Sequence, residues 1–165
     1  MTPSTASLSA PHLKASPLTP EGFVPFGRVV AAPEQPGRAF LGSLIENRRE
    51  AADLDFSLTH TAASPLPFEA RLMERHPLSS QAFLALDVAR FLVIVAPSGS
   101  NGPEMGQAQA FIGSAGQALV YAPGTWHHGM VALDRPGRFA IIMWCAEDGR
   151  NDEFHPLAQP VMVAG

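Results

Sequence analysis

From Asp55 onward the chain alternates. Phe56, Leu58 and His60 are interleaved with Asp55, Ser57 and Thr59, a period of two that predicts a half-buried strand. Pro65 and Pro67 end it. Residues 68–75 predict a second strand, with Phe68, Ala70, Leu72 and Glu74 on one face. Further short apolar runs follow at 81–86, 90–96, 108–112, 118–121, 129–133 and 138–145. The separators are turn signals: residues 97–106, Gly113 to Gly116, Pro123-Gly124, and Asp134-Arg135-Pro136-Gly137. Short strands recurring about every ten residues, parted by Gly and Pro, predict an all-β barrel or sandwich.

Upstream the pattern is weaker. Thr19-Pro20-Glu21 is set to open a short helix, with Thr19 as its N-cap and Pro20 in the first turn. Residues 27–30 read as a short strand. Leu41, Leu44 and Ile45 form a partial helical stripe within 40–53. Residues 1–17 are rich in Ser, Thr, Ala and Pro and predict a disordered tail. Residues 18–165 then form one domain. The polar stretch after Asp148 is expected to drape over its surface.

Composition narrows the function. Charged residues are 16% of the 165, against the usual roughly 25%. Eleven Lys and Arg stand against fifteen Asp and Glu, so no basic block exists to release counterions from nucleic acid. The only lysine, Lys14, lies in the tail, which argues against Schiff-base chemistry. One cysteine, Cys145, sits in an apolar run and reads as a buried inert thiol; it permits no internal disulfide. No apolar run approaches the roughly 20 residues that span a bilayer. No signal peptide is legible. A cytoplasmic protein acting on a small molecule is the expectation.

Two clusters carry candidate chemistry. Glu74-Arg75-His76-Pro77 places three ionisable residues in a row. Alternation puts Glu74 and His76 on one face and turns Arg75 to the other. A carboxylate beside an imidazole can serve acid–base work. Trp126-His127-His128 follows the Pro123-Gly124 turn, and a strand there points one histidine inward. An exposed Trp126 could serve an interface. His60 is a third candidate; His12 and His155 read as surface residues.

Together the clusters resemble a known family. Glu74-Arg75-His76-Pro77-Leu78-Ser79-Ser80-Gln81-Ala82-Phe83, followed by Gly124-Thr125-Trp126-His127-His128, is similar to the ureidoglycolate lyase family. The resemblance implies a cupin-like β-barrel, commonly a homodimer. It implies cleavage of ureidoglycolate to glyoxylate and urea, in the allantoin branch of purine breakdown. On it, His76, His127 and Glu74 are the candidate catalytic residues. Arg75, Gln81, His128 and Tyr121 are candidate substrate-binding residues. Some family members are associated with a divalent metal; for Ni, Mn, Zn or Fe the candidate ligands here are His60, His76 and His127.

The chain also departs from the family. Cationic residues usual there are replaced at or near His60, Gln109, Ala122-Pro123 and Met143-Trp144. Two other readings therefore stay open. One is a metal-dependent cupin acting on another small ureide or hydroxy acid. The other is a non-catalytic barrel that binds a small metabolite.

Overall fold

The computed structural model describes residues 12–165. Residues 1–11 of the expected tail lie outside the described residues. The strands are β1 (His12–Lys14), β2 (Ser16–Pro17), β3 (Gly27–Ala31), β4 (Asp53–Thr61), β5 (Phe68–Arg75), β6 (Gln81–Ala85) and β7 (Arg90–Ala96). They continue as β8 (Ser98–Gly99), β9 (Gly102–Pro103), β10 (Gln109–Ser114), β11 (Gln117–Tyr121) and β12 (Trp126–His127). The last are β13 (Val131–Leu133), β14 (Gly137–Cys145) and β15 (Glu153–Ala164). One short helix, α1 (Pro20–Phe23), begins as the sequence predicts: Thr19 caps it, and its hydroxyl accepts from the Gly22 N–H at 3.1 Å.

Two sheets form a nearly closed, all-β, cupin-like barrel. One has the order β1-β15-β5-β12-β7-β10-β2, with β13 also on β7. The other has the order β3-β11-β6-β14-β4. Between them lies a core of Phe23, Phe83, Phe91, Val93, Val95, Phe111, Leu119, Tyr121 and Phe139. A second core, including Met73, Leu92, Ile94, Trp126, Val131 and Val163, covers the outer face of the first sheet. β7 supplies both cores from alternate positions, which explains its continuous apolar run. At the start of β3, Gly27 has φ of +152°, and a Cβ there would lie 1.9 Å from the Val120 carbonyl oxygen. Only glycine lets these paired strands approach so closely.

Several expectations change. Residues 12–17 are not free tail: β1 runs parallel to β15, and β2 parallel to β10. The stretch after Asp148 does not merely drape over the surface. It supplies β15, twelve residues long and antiparallel to β5. The stripe at 40–53 yields only a 3-10 turn, Gly42–Leu44.

β4 is a strand, but its faces are reversed. Phe56 and Leu58 are each 67% exposed. Thr59 pairs with Phe139, and Ser57 with Ile141. Directly paired residues share a face. Phe139 lies in the core between the sheets and Ile141 packs against it, so Phe56, Leu58 and His60, on the alternate positions of β4, point away from it.

β5 also breaks its expected face. Ala70 and Met73, three positions apart, are both fully buried in the second core, while Leu72 is 41% exposed. The partner strand β15 has a bulge between Pro156 and Val161 opposite this point. Trp126 is buried, not exposed. Cys145 is half-buried, and burial, with Asp55 and Asp152 nearby, pushes its thiol pKa up.

Candidate active site

The group forms where the two sheets face each other. His127 in β12 pairs directly with Glu74 in β5, so their side chains lie on one face. His127 also pairs with Val95 of β7, whose side chain is in the inner core. From the opposite sheet, Gln81 of β6 stands between Tyr121 of β11 and Met143 of β14. All three are buried. His76 follows β5 by one residue. Pro77 removes a donor and favours extended backbone at His76. The His76 carbonyl instead accepts from the Gly124 N–H at 2.8 Å.

One ligand atom from each of Glu74, His76 and His127 lies within 4.8 Å of the others. The His76 and His127 ring centres are 5.4 Å apart. His76 Nδ1 lies 3.0 Å from the main-chain oxygen of Asn151 and 3.1 Å from Asp152 Oδ1. Both are acceptors, so Nδ1 carries the proton. Nε2, buried and without a partner, presents its lone pair to the group.

His127 is held differently. Its Nδ1–H donates to the Thr125 carbonyl at 2.9 Å. Its Nε2 is 3.0 Å from Gln81 Oε1 and 3.5 Å from Glu74 Oε1. In the imidazolium form, Nε2–H donates to Gln81 and faces the Glu74 carboxylate. In the neutral form, Gln81 turns its amide and donates to Nε2. The Tyr121 ring stacks on His127 at 4.0 Å and 14°.

Burial tunes the charges. It pushes the Glu74 carboxyl up, but the hydrogen bond and charge of His127, aided by His76 and His128, outweigh it and hold Glu74 below the carboxylate norm. Burial, then His127, lowers His76 against Asn151, Glu74 and Asp152, which raise it. Burial also lowers His128, against the Gly129 carbonyl and Glu74. Burial raises Tyr121 far above its ordinary value, so it stays a neutral phenol.

Not every expected residue converges. His60 lies exposed on β4, opposite Arg138, and outside the ligand group; Glu74 takes the third position beside His76 and His127. Arg75 is on the other face of β5. Its Nε donates to Glu153 Oε2 at 2.7 Å, and its guanidinium lies 4.6 Å from the Trp126 ring centre. His128 is half-buried, with Nδ1–H donating to the Gly129 carbonyl at 2.7 Å and its ring against Phe68. Among the described residues, no Lys or Arg side chain hydrogen-bonds to Glu74, His76, His127 or Gln81. Asn151 and Asp152 were not foreseen. No local pattern marks them; they reach His76 because β15 pairs with β5.

The family profile described as Ureidoglycolate lyase matches residues 10–164. This chain belongs to the ureidoglycolate lyase family. A relative named ureidoglycolate lyase, from Rhodobacter capsulatus, is 35% identical over 162 residues, covering 93% of this chain and 99% of its own length. A putative ureidoglycolate lyase of Agrobacterium fabrum is 35% identical over 150 residues, covering 90% and 93%. The ureidoglycolate lyase of Burkholderia cepacia is 34% identical over 142 residues, covering 80% and 79%. The match of this ureidoglycolate lyase family member spans both sheets and every residue of the histidine group.

Proposed function

We propose that this protein is a carbon–nitrogen (amidine) lyase that cleaves ureidoglycolate to glyoxylate and urea in allantoin breakdown. The observation that carries the reading is the convergence of Glu74, His76 and His127 in a chain that the family profile matches over residues 10–164. The substrate is a hemiaminal whose central carbon bears a hydroxyl, a carboxylate and the urea nitrogen.

His76 Nε2 acts as base and takes the hydroxyl proton. The O–H electron pair becomes the second C–O bond of glyoxylate. The C–N pair leaves with the nitrogen. His127, as imidazolium, gives that nitrogen its Nε2 proton and completes urea. Glu74 faces the His127 Nε2 and stabilises the charged ring before transfer. Proton exchange with solvent resets both histidines. The substrate carboxylate needs N–H donors. With Arg75 turned away and the one N–H of neutral His128 given to the Gly129 carbonyl, Gln81 and the imidazolium are the donors this site offers.

The residues also suit a metal. Two imidazoles and a carboxylate fit a borderline divalent ion such as Ni, Mn, Zn or Fe, and the partnerless Nε2 of His76 is a ready donor. Glu74, His76 and His127 would hold it. When bound, such an ion polarises oxygen and receives a carboxylate as a Lewis acid. Gln81 would then turn its amide away from His127.

The test is glyoxylate release from racemic ureidoglycolate against a no-protein blank, with and without divalent metal. Accelerated release confined to half the substrate is expected. No acceleration by the folded protein under either condition would leave the metabolite-binding barrel as the better reading.

The proposed form is a cytoplasmic homodimer. Among the described residues no helix is long and apolar enough to cross a membrane. The outer face of the second sheet exposes Leu54, Phe56, Leu58 and Leu84. It also holds an apolar depression of about 430 Å³ that includes Ile142 and Trp144. A contiguous apolar face of this kind marks an interface. Light scattering should give twice the 17.5 kDa chain mass, and Phe56→Lys with Leu58→Lys should return the monomer. A wild-type monomer would refute the dimer.

A further inference from the structure

His76 can act through Nε2 only while its proton stays on Nδ1. Two acceptors face that nitrogen, and they are unlike. Asp152 offers a carboxylate at 3.1 Å, but its side chain is 49% exposed. Asn151 offers its main-chain oxygen at 3.0 Å and is buried. Its side chain is pinned from three directions. Asn151 Oδ1 accepts from the Leu78 N–H at 2.7 Å. Its Nδ2 donates to Ser79 Oγ at 2.8 Å and to the Trp144 carbonyl at 3.3 Å. One amide thus ties the segment after His76 to the end of β14 and to the turn entering β15. That fixes the carbonyl which reads the histidine ring.

We propose that Asn151 is the positioning residue that sets the His76 tautomer, with Asp152 a dispensable second acceptor. This rests on the role given to His76 above. A buried carbonyl on a residue whose side chain is bonded on three sides is a fixed acceptor. A half-exposed carboxylate shares its lone pairs with water. Ring-orienting partners of this kind typically change activity about 10- to 100-fold when lost.

The test uses the full chain labelled with nitrogen-15. Long-range proton–nitrogen spectra report which ring nitrogen of His76 is protonated, and the signals are assigned by their loss in His76→Asn. Wild type should show the Nδ1–H tautomer alone. Asp152→Asn should keep that tautomer, with kcat within a few-fold of wild type. Asn151→Asp keeps an oxygen for Leu78 but loses both donated bonds. It should move the two ring nitrogens toward averaged shifts and lower kcat about 10- to 100-fold at similar KM.

An Nε2–H tautomer in wild type overturns the proposal, whether or not any variant folds. So does an Asp152→Asn protein that loses the tautomer, or an Asn151→Asp protein that keeps it. These readouts do not depend on turnover. A protein inactive on ureidoglycolate with an intact Nδ1–H signal would sink the lyase reading and leave the positioning role standing.

Discussion

His76→Ala loses about 10²- to 10⁴-fold in kcat over the uncatalysed blank, the usual contribution of a positioned acid or base. No other described group puts an unpartnered buried nitrogen into this site. The fold should survive. The truncation orphans the Asn151 carbonyl, a cost of about 1 kcal/mol, or about 2–4 °C in Tm for a chain of this size. His76→Asn restores a donor for that carbonyl but has no basic nitrogen, so it should melt nearer wild type and be equally inactive. Turnover retained by either variant would remove His76 from the mechanism.

The pH dependence follows the same residue. Its pKa lies below the ordinary 6.5, so the neutral base predominates at pH 7. The acid limb of kcat/KM should fall below pH 6.5. Stability moves in the same direction. The unfolded chain accepts protons near pH 6.5 that folded His76 and His128 resist, and near 4.5 that folded Glu74 resists. Their share of stability is therefore full above about pH 6.5 and declines as pH falls through that value and then through the carboxylate range. An acid limb centred above 6.5 would contradict the assignment.

Phe139→Ala should cost about 3–5 kcal/mol, the range for emptying a large aromatic site. Phe139 is fully buried and meets Phe83 at 6.4 Å and Phe91 at 5.8 Å, both edge-to-face. Phe91 belongs to the first sheet and Phe83 to the second, so the cavity would open between the sheets. A domain has about 5–15 kcal/mol in total, so the loss is a large fraction, equivalent to roughly 6–20 °C in Tm. Thermal melts of both proteins decide it. A loss under about 1 kcal/mol would mean that the inter-sheet core collapses around the gap.

Much of the framework was legible from residue order. Apolar runs parted by Gly and Pro marked the strands of the barrel, because turn chemistry and strand period are local properties. The cap of α1 was legible for the same reason. So was the division between Glu74 with His76 and Arg75, since alternate side chains in an extended segment point to opposite faces.

What remained hidden depended on pairing. The sequence shows Phe56 and Leu58 as the apolar members of their strand. Only the register with β14, which sets Ser57 and Thr59 opposite the inward Ile141 and Phe139, decides that they point away from the core. His60 leaves the group with them. Gln81 and Tyr121 are distant from His127 in sequence, and the closure of two sheets brings them to it. Asn151 carries no motif at all. It reaches His76 because β15 pairs antiparallel with β5 and delivers the preceding turn to that point. The sequence by itself thus determined the strand periods, the turns and the residue types that can move protons. The tertiary structure alone decided which faces are buried and which nitrogen is free, because burial and hydrogen bonding depend on partners far away in the chain.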